Sequence, residues 1–553
     1  MSKRNRVICL CLALAFVLLL LPFSAFAAEG NAKLDIAVIS DPHFFLPEYV
    51  ADTEEFRAAA ADGRPLLAES SVLFDAYLAD LCEKKPDVLL IPGDLSGDGA
   101  KAAHEAVAKR LLAVKEKLPE LKVYVINGNH DINRTDSRNY NAGSVPSVTP
   151  AEFESIYGFT YGDESIVSRF VPTAGQAANG LSYAARPCDG VTLLALDSCM
   201  YSADITSCGL DRGEADGQFS AALENWICEQ TAAAQARGDT VLAMMHHNLV
   251  PHFSLEPVIY QKYLLNDYER ISAFLADLGI SFVFTGHMHA NDIAATTTKS
   301  GNTLYDIMTS SLVCYPAAVR TVALEKTEDE TTLDIKTFAL KEINATSPLT
   351  GEVIGNLAEY GLARGFSAQA ISSKVQGHLR GIVTKYITSN SKTAEWFTDR
   401  LNGHIDSIIR QACAIQVDAE HTLLDAVNYV YYMMLAGEEQ GNYPAWVQSV
   451  LKRTESGELI GTIMDIAKKE AFGDLANLTR YKGLITRSVE KALGKAVVQL
   501  ADTLGKDSNY AADNNTALCA PTFLPPEATE EAASKQKSGT GLLQSIWNRL
   551  TGR

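Results

Sequence analysis

The sequence predicts a layered α/β domain, a β-sandwich flanked by helices, followed by a smaller all-α domain. Between Leu34 and Leu340, short apolar runs rich in β-branched residues alternate with segments of helical periodicity. Continuous apolar strands are typical of a buried sheet in an α/β protein. Beyond Asn344 the β-branched runs become rare, and long helical patterns joined by short polar loops extend to Leu504. This change indicates a separate helical bundle.

The individual elements follow from the same patterns. Apolar runs predict strands at Ile36–Ile39, Val88–Ile91, Val123–Ile126, Val191–Leu196, Val241–Met245 and Phe282–Phe284. Helical spacing predicts helices at Ser70–Glu83, His104–Lys117 and Tyr268–Leu278, and in the second domain at Leu423–Leu435, Leu459–Phe472 and Leu484–Leu504. Ligands of α/β sheets bind beyond the carboxyl ends of the strands, so polar residues just after these strands are candidates for a functional site.

Residues 1–27 are predicted to be a signal peptide. A basic start precedes the apolar core Val7–Leu21, and Ala25-Phe26-Ala27 has the pattern of a cleavage site. The alternative is an uncleaved membrane anchor, but the apolar core is shorter than the ~20 residues that a spanning helix needs. Cleavage after Ala27 is therefore favoured. We expect a secreted or extracytoplasmic protein, and association with the cell envelope stays open.

The rest of the chain is predicted to divide into four segments. They are the α/β domain at 33–343, the helical domain at 344–520, a flexible linker at 521–541 and a short amphipathic tail at 542–553. The linker is rich in Pro, Glu, Ala, Ser and Lys, which is typical of flexible segments. The apolar residues of the tail fall on one helical face. A helix that docks on the helical domain is the favoured interpretation, and contact with the membrane or cell envelope is the alternative.

Composition and charge exclude one class of function. The formal net charge is −19, so we do not expect the basic surface that binds nucleic-acid polymers. A small phosphate ester remains compatible, because bound metal ions supply local positive charge. Cys199 and Cys208 are close enough in sequence to bridge a loop, but their spacing alone does not give the connectivity.

Five clusters of polar residues stand at predicted strand ends. They are Asp41-Pro42-His43, Gly93-Asp94 with Gly99, Gly128-Asn129-His130-Asp131, His246-His247 and Gly286-His287-Met288-His289. Each is weak evidence by itself, because a single histidine at a strand end is more often structural. All five in this order are very unlikely to arise by chance. Imidazole and carboxylate groups suit Fe, Mn or Zn ions, so the clusters predict a metal site.

The position of Asp94 favours a site with two metals. Two ions about 3.5–4 Å apart need a carboxylate between them, both to bridge them and to offset their repulsion. Asp94 follows the strand predicted to run next to that of Asp41, which makes it the natural bridge. The neutral amide of Asn129 limits the total negative charge. Glycines precede Asp94, Asn129 and His287, and we expect them to let the backbone turn sharply at the strand ends.

The order of these motifs resembles that of the calcineurin-like metallophosphoesterase superfamily. The pattern Asp-x-His, Gly-Asp-x-x-x-x-Gly, Gly-Asn-His-Asp, His and Gly-His-x-His lies within 34–340. The resemblance implies two divalent or trivalent ions, Fe, Mn or Zn. It places Asp41, His43 and His289 on the first metal, Asn129, His246 and His287 on the second, and Asp94 between them. It also implies that His130 acts on the leaving group and that Asp131 orients it.

Two positions depart from the usual pattern. The fourth motif is normally His followed two residues later by Pro, whereas this chain has His246-His247-Asn248. Adjacent strand residues point in opposite directions, and the motif selects His246 as the ligand, with His247 outside the ligand set. Asp98 lies where many relatives have a different loop, and we expect it to be a solvated loop residue.

Three further polar residues lie near the motifs. His104 recurs in near relatives, and a packing or hydrogen-bonding role at the start of a helix is expected for it. Arg134 and Arg138 follow Gly-Asn-His-Asp closely. They could contact a phosphate oxygen or a base of the substrate, or they could be surface arginines on a loop, and the sequence leaves both interpretations open.

Within the superfamily, the chain resembles most the class III cyclic nucleotide phosphodiesterases and their exported Gram-positive relatives, several of which have a helical domain after the catalytic one. The segments that carry this resemblance are Ser40–Leu46, Gly93–Ser96 with Gly99 and His104, and Thr309–Leu312 with Tyr315-Pro316. They imply an exported enzyme that hydrolyses phosphate esters, phosphodiesters such as cyclic nucleotides above all, by attack of a metal-activated hydroxide. The alternatives are a broad-specificity phosphomonoesterase or nucleotidase, and a surface-binding protein with a vestigial site.

Overall fold

A computed structural model of the chain shows its architecture. It describes residues 31–61, 63–172, 178–201, 215–253, 256–365, 367–368, 371–372, 399, 402–437, 443–473 and 513–521. The predicted signal peptide, the linker beyond Pro521, the tail, Cys208 and the predicted helix Leu484–Leu504 lie outside the described residues.

Two large sheets form the body of the described chain. In chain order the strands are β1 (Ala32–Val38), β2 (Val88–Pro92), β3 (Lys122–Ile126), β4 (Arg138–Asn139), β5 (Gly143–Ser144), β6 (Ile166–Arg169), β7 (Tyr183–Cys188), β8 (Val191–Leu196), β9 (Thr240–Met245), β10 (Phe282–Thr285), β11 (Asp292–Thr297), β12 (Thr303–Met308), β13 (Ala318–Lys326), β14 (Glu330–Ala339), β15 (Glu342–Thr346), β16 (Val353–Asn356) and β17 (Asn515–Pro521). The first sheet has the order β17-β14-β13-β1-β2-β3 and the second the order β11-β12-β10-β9-β8-β7-β6, while β4-β5 and β15-β16 form two small hairpins.

Helices cover the sheets and form the later part of the chain. They are α1 (Glu54–Ala61), α2 (Ser70–Lys84), α3 (Lys101–Lys117), α4 (Pro150–Ile156), α5 (Gly158–Tyr161), α6 (Ala221–Ala236), α7 (Glu256–Ile259), α8 (Tyr268–Asp277), α9 (Leu357–Leu362), α10 (Ile405–Cys413), α11 (Leu423–Leu435), α12 (Ala445–Glu455) and α13 (Glu458–Ala467). Short 3₁₀ helices lie at Pro47–Tyr49, Leu67–Glu69 and Gln261–Tyr263, and a π-helical turn, Lys468–Phe472, follows α13.

The layers confirm the predicted sandwich flanked by helices. Alternate residues of β8 belong to two different cores: Leu193 packs in the main core together with residues of the first sheet, and Leu194 packs in a second core. The second core includes Phe274 of α8, so helices cover the outer face of the second sheet. On the other side, Phe74 of α2 and Leu111 of α3 pack with the first sheet. The period of two along each strand gives the sheet its two buried faces.

Parallel pairing aligns the strand ends that carry the predicted clusters. In the first sheet β1, β2 and β3 are parallel, and in the second sheet β8, β9, β10 and β12 are parallel. The carboxyl ends of parallel strands lie at the same edge of a sheet, which is where ligands of such folds bind. Within the described residues the predicted elements are present, most of them with shifted ends. For example, β1 begins at Ala32 instead of Ile36, whereas β8 has the predicted bounds.

The helical region is present, but the chain differs from the predicted helical segment at both of its ends. Residues 342–356 include the hairpin of β15 and β16, and the chain returns to the first sheet as β17. β17 pairs antiparallel with β14, from Asn515 opposite Lys336 to Pro521 opposite Glu330. Its alternate residues Leu518 and Ala520 are buried in the main core. Alternating buried residues are typical of a strand. Here the alternation is short and follows a sequence with helical periodicity, so the strand is hard to predict.

Two further predictions concern membranes and disulfides. Among the helices that the structure describes, none is long and apolar enough to cross a membrane. The described cysteines form no disulfide with one another. Cys199 is buried, and the bridge to Cys208 stays a prediction because Cys208 lies outside the described residues.

Candidate metal centre

Five of the seven predicted ligands lie on strained backbone at the strand ends. Asp41, His43, Asp94, His287 and His289 all have a positive φ, between 40° and 69°. Residues other than glycine in such conformations cost of order 1–3 kcal/mol each, and they persist only where the surrounding structure enforces them. Their concentration in one place supports a functional role for this edge of the two sheets.

Glycines make room for these side chains. At Gly286 an added Cβ atom would overlap the Oδ2 atom of Asp41, and at Gly128 it would overlap the Oδ1 atom of Asp94. Of the three glycines predicted to turn the chain, Gly93 alone has a positive φ, 101°. The predicted sharp turn therefore applies to Gly93. At Gly128 and Gly286 a side chain would not fit, because another chain segment approaches them closely.

Asp41, His43, Asp94 and His289 form a first group of possible ligands. The Nε2 atoms of His43 and His289 are 2.9 Å apart. The Nε2 atom of His43 lies 3.5 Å from Oδ2 of Asp94, and that of His289 lies 3.6 Å from Oδ1 of Asp41. Their donor atoms are close enough together to hold one ion. The group contains the three residues predicted for the first metal, together with the predicted bridge.

A second group shares Asp94 with the first. The Nε2 atom of His246 lies 3.4 Å from Oδ2 of Asp94, and the ring centroids of His246 and His287 are 4.5 Å apart. These three residues could hold a second ion. The Oδ1 atom of Asn129 is 3.0 Å from Nε2 of His246. The structure thus brings all the predicted ligands together, with Asp94 common to both groups.

The two oxygens of Asp94 differ in a way that fits a bridging position. The Oδ1 atom accepts a hydrogen bond of 2.8 Å from the backbone N–H of His130. The Oδ2 atom is buried, and within the described chain it accepts no hydrogen bond. It faces the imidazoles of His43 and His246. A buried carboxylate oxygen is unfavourable unless a cation neutralises it, so this atom suits a pair of metal ions.

The outer nitrogens of two rings support the same fit. The Nδ1 atom of His246 lies 3.0 Å from the carbonyl oxygen of Pro92, and Nδ1 of His289 lies 3.0 Å from that of Gly63. Each carbonyl oxygen can accept a hydrogen bond from the Nδ1–H group, and the Nε2 atom of the ring then faces the centre. Histidine ligands of metals usually donate their second N–H in this way.

Burial and neighbouring charges set the protonation of the metal-free centre. Burial raises the pKa of Asp41 to about 7. Burial lowers the pKa of His246, but the carboxylates of Asp94 and Asp41 outweigh this effect and raise it to about 9. Burial also raises the pKa of Asp94, yet His246, His130 and His43 hold it well below its usual range. The metal-free centre therefore contains an imidazolium at His246 beside the Asp94 carboxylate.

His247 lies outside both groups, as the alternation along the chain predicts. Its Nδ1 atom is 2.8 Å from Oγ of Ser198, and its Nε2 atom is 3.2 Å from the carbonyl oxygen of Ala215. The same carbonyl lies 3.2 Å from Nε2 of His287. His247 therefore helps to enclose the second group, because it shares the carbonyl oxygen of Ala215 with His287.

His130 stands beside the first group. Its ring centroid is 5.1 Å from that of His43. Burial lowers the pKa of His130 to about 3, with further lowering by Arg64 and Arg134 and an opposing effect of Asp94. The ring is therefore neutral near pH 7 in the metal-free chain. This differs from an imidazolium ready to protonate a leaving group.

Asp131 holds the turn that carries His130. Its buried carboxylate accepts hydrogen bonds from the backbone N–H groups of Gly128 at 2.8 Å, Leu95 at 3.1 Å and Ser96 at 2.9 Å. Among the described residues, this carboxylate makes no hydrogen bond to the His130 ring. Asp131 thus positions His130 through the backbone, whereas the resemblance implies that it orients the ring.

The structure confirms one of the secondary expectations and corrects another. His104 is buried, with Nε2 at 3.0 Å from Oγ of Ser96 and Nδ1 at 2.9 Å from the hydroxyl of Tyr157, so its hydrogen-bonding role is confirmed. The expectation that Asp98 is solvated is wrong. Asp98 is buried because its carboxylate accepts hydrogen bonds from the backbone of Arg138 and Ala100, and burial raises its pKa to about 6.

The two arginines of the loop after β3 have different surroundings. Arg134 forms a bidentate ion pair with Asp136, with distances of 2.9 and 2.6 Å, and one of its nitrogens lies 3.5 Å from the carbonyl of Asn129. Arg138 is exposed, and its guanidinium lies 5.7 Å from the ring centroid of Tyr140. The guanidinium of Arg134 is thus paired with the carboxylate of Asp136, while Arg138 lies farther along the chain, at the start of β4.

Sequence analysis missed Arg64, which connects the centre with a neighbouring cavity. Its guanidinium donates hydrogen bonds to the carbonyl oxygens of Gly97 at 2.6 Å and Ala59 at 3.3 Å. The preceding residue, Gly63, accepts the hydrogen bond from His289. The cavity has a volume of about 140 Å³, and its lining includes Arg64, Arg138, Tyr140, Phe45 and Asp98. Arg64 does not belong to any of the sequence motifs. It lies beside the centre because distant segments of the chain pack together, as its hydrogen bond to Gly97 shows.

Two further hydrogen bonds join the loops of the centre. The hydroxyl of Ser311 donates to the carbonyl oxygen of Asp41 at 2.7 Å, and Asn127 donates from Nδ2 to Oδ1 of Asp197 at 3.0 Å. Ser311 belongs to a segment that the sequence analysis used only for its resemblance. Asn127 stands directly before the Gly-Asn-His-Asp motif, so its position at a strand end was the available signal.

Gly286→Ala is expected to abolish tight metal binding. Its Cβ atom would overlap the Asp41 carboxylate and the hydroxyl of Ser40, and would therefore displace a predicted ligand. Metal content after equilibration with Mn²⁺, measured by elemental analysis, checks this. Gly461→Ala is the matched control, because nothing lies near that position and alanine favours the helix there. Full metal content in Gly286→Ala would contradict the close approach.

Metal binding is expected to release protons and to strengthen as the pH rises towards about 9. The pKa of His246 is about 9 and that of Asp41 about 7, so in the metal-free protein both carry a proton at lower pH. An ion must displace these protons, and displacement becomes easier as their concentration falls. Calorimetric titration with Mn²⁺ in two buffers of different ionisation enthalpy measures the release. A pH-independent affinity between pH 6 and 9 would contradict it.

Comparison with known proteins finds a family model that matches the part of the chain that contains this centre. Residues 34–291 match the family model of the calcineurin-like phosphoesterases. No curated protein sequence matches the chain significantly. Similar solved structures include a dimetal phosphatase from Danio rerio, which has 15% identity and a TM-score of 0.35 and for which the match covers 55% of this chain and 95% of that one.

Two other similar structures have lower scores. GAP50, described as the anchor in the inner membrane complex of Plasmodium, has 13% identity and a TM-score of 0.27, and the match covers 58% of this chain and 87% of that one. Phosphopantetheinyl hydrolase from Mycobacterium tuberculosis has 13% identity and a TM-score of 0.25, with 51% and 91% covered. The match to the calcineurin-like phosphoesterase family model spans every motif from Asp41 to His289.

Proposed function

We propose that this chain is a binuclear-metal phosphodiesterase that acts outside the cytoplasmic membrane on small phosphodiesters such as cyclic nucleotides. The observation that carries the two-metal part is the buried Oδ2 atom of Asp94, which faces both groups of possible ligands. The family match supports metal-dependent hydrolysis of phosphate esters. When bound, a pair of ions supplies Lewis acidity and lowers the pKa of water.

The residues of the chain have distinct tasks in this proposal. Asp41, His43 and His289 would hold one ion, and His246, His287 and Asn129 would hold the other, with Asp94 available to both. Asn129 also offers an amide group to a phosphoryl oxygen. His130, which is neutral near pH 7 when metal is absent, presents a ring N–H to the oxygen of the leaving group. A bound phosphate ester is negatively charged, so it favours a proton on this ring during the departure of the leaving group.

The surroundings of the centre favour a diester. On one side, Arg64 follows Gly63, whose carbonyl oxygen faces His289, and the cavity that Arg64 lines offers room together with a mixed set of charges, from Arg138 and from the acidic side chains Glu55, Asp98 and Asp136. On the other side, the ring of Tyr263 lies 4.4 Å from that of His287, centroid to centroid. An ester with a substituent on each side of phosphorus can use both surfaces, whereas a monoester leaves one of them without a contact.

Export and partners are part of the proposal. Residues 1–27 have the pattern of a signal peptide, and the tail at 542–553 has the pattern of an amphipathic helix. We propose a secreted or extracytoplasmic enzyme whose partner is a small phosphate ester. Contact with the cell envelope through the tail is the less favoured extension. The net charge of −19 speaks against nucleic-acid polymers as substrates.

His130→Ala is expected to lower kcat by roughly 10²–10⁴-fold, because the leaving oxygen loses its proton donor. Its metal content should stay at the wild-type value, since His130 belongs to neither group of possible ligands. Steady-state kinetics together with elemental analysis check both statements. His421→Ala, which changes a histidine of the helical region, is the control and should behave like the wild type. Loss of metal in His130→Ala would show that the role is wrong.

A substrate comparison tests the proposed function. We expect kcat/KM of the Mn²⁺-loaded full-length protein to be higher for a cyclic nucleotide and for bis-p-nitrophenyl phosphate than for p-nitrophenyl phosphate. Asp94→Ala should lack both metal and activity, because the shared ligand is removed. A preference for the monoester would support a phosphomonoesterase instead. A purified wild-type protein without bound metal or esterase activity would support the surface-binding alternative.

A further inference from the structure

We propose that residues beyond the phosphoesterase domain hold the metal-binding turn in place, and that Asn514 is a positioning residue for it. The turn in question is Gly286–Asn291, called the ligand loop below, which carries His287 and His289. The segments that hold it are the end of α11 and the start of the segment that leads into β17. This inference goes beyond the proposed function, because it concerns what fixes the ligands and not which ester is hydrolysed.

Asn291 is the point where three segments meet. Its backbone N–H donates to the carbonyl oxygen of Leu435 at 2.8 Å, and its side-chain amide donates to Oδ1 of Asn514. Asn514 in turn donates from Nδ2 to the carbonyl oxygens of Ala436 at 3.0 Å and Gly437 at 3.3 Å. One asparagine side chain thus joins the ligand loop to the end of α11.

Asp513, the residue before Asn514, adds a second connection. The backbone N–H of Ile293 donates to Oδ1 of Asp513 at 3.2 Å, and the carbonyl oxygen of Asp513 accepts a hydrogen bond of 2.6 Å from Arg320. Arg320 is fully buried, and it also donates to the carbonyl oxygens of Met308 and Asp292. A buried guanidinium is tolerated only where its donors are satisfied, so this arginine depends on the segment at 513–514.

Apolar packing holds the ligand loop from the other side. Met288, the residue between the two histidine ligands, is buried in a cluster with Tyr432, Met434 and Leu435 of α11. Gly437 follows the helix with φ of 65°, and an added Cβ atom there would overlap the carbonyl oxygen of Asn291. The helix end and the loop therefore approach as closely as a glycine permits.

These contacts explain how a strained loop persists. His287 and His289 have φ values of 69° and 64°, which are unfavourable for residues with a side chain. Such conformations persist only where the surrounding contacts leave no alternative. The phosphoesterase match ends at residue 291, so part of what enforces them comes from sequence far outside the matched domain. Metal affinity should therefore depend on Asn514.

The experiment compares two substitutions in the full-length protein. Asn514→Ala removes the hydrogen bonds to Asn291, Ala436 and Gly437, and we expect it to weaken Mn²⁺ binding by about tenfold or more, as other indirect supports of metal ligands do. Leu518→Ala, in the same part of the chain, removes a side chain of the main core and does not contact the ligand loop. It should lower Tm and leave the affinity for Mn²⁺ unchanged. Calorimetric titration of the metal-free proteins and thermal melts measure the two quantities.

Unchanged Mn²⁺ affinity in folded Asn514→Ala overturns the proposal. An equal loss of affinity in Leu518→Ala also overturns it, because general destabilisation would then account for both. Gly437→Ala gives a second test, since its Cβ atom would overlap the carbonyl oxygen of Asn291, and it should weaken Mn²⁺ binding in the same way. A wild-type protein that binds two ions but cleaves no phosphodiester contradicts the proposed function alone and leaves this inference intact.

Discussion

The carboxylate of Asp94 is the constraint on which the centre depends. It is buried between two sheets, one of its oxygens is fixed by the backbone of His130, and the other faces imidazoles from both sheets. Burying such a group is unfavourable unless positive charge surrounds it. The rest of the centre meets this requirement: Gly93 and Gly128 admit the carboxylate and its neighbours at close range, and parallel strands bring histidines from β1, β9 and β10 to one edge.

The sequence predicts the fold, and it places the candidate ligands at strand ends, for a physical reason. Buried strands such as Val191–Leu196 are continuous apolar runs, and helices such as Leu423–Leu435 show their apolar spacing locally. The ligands come directly after such strands, so their positions follow from the same local pattern. Gly286 and Gly128 were noted as well, although the structure shows that they provide space and only Gly93 provides a turn.

What the sequence did not predict depends on contacts between distant segments. Arg64 reaches the centre only because the turn after α1 packs beside it, and Asp98 is buried only because the backbone of Arg138 folds over it. The strand β17 is short, and the sequence before it has a helical pattern. Its pairing with β14 therefore has no local signal stronger than the alternation of Leu518 and Ala520. Burial, which no local pattern reports, lowers the pKa of the His130 ring to about 3 in the metal-free chain.

The connection between Asn291 and Asn514 has a consequence for biosynthesis. The two residues are 223 positions apart in the chain. A ribosome that adds about 5–20 residues per second needs roughly 10–45 s to make this stretch. During that time the two histidines of the loop exist without the contacts that the finished chain gives them. The order of synthesis therefore separates the making of these two histidines from their final arrangement by the segment around Asn514.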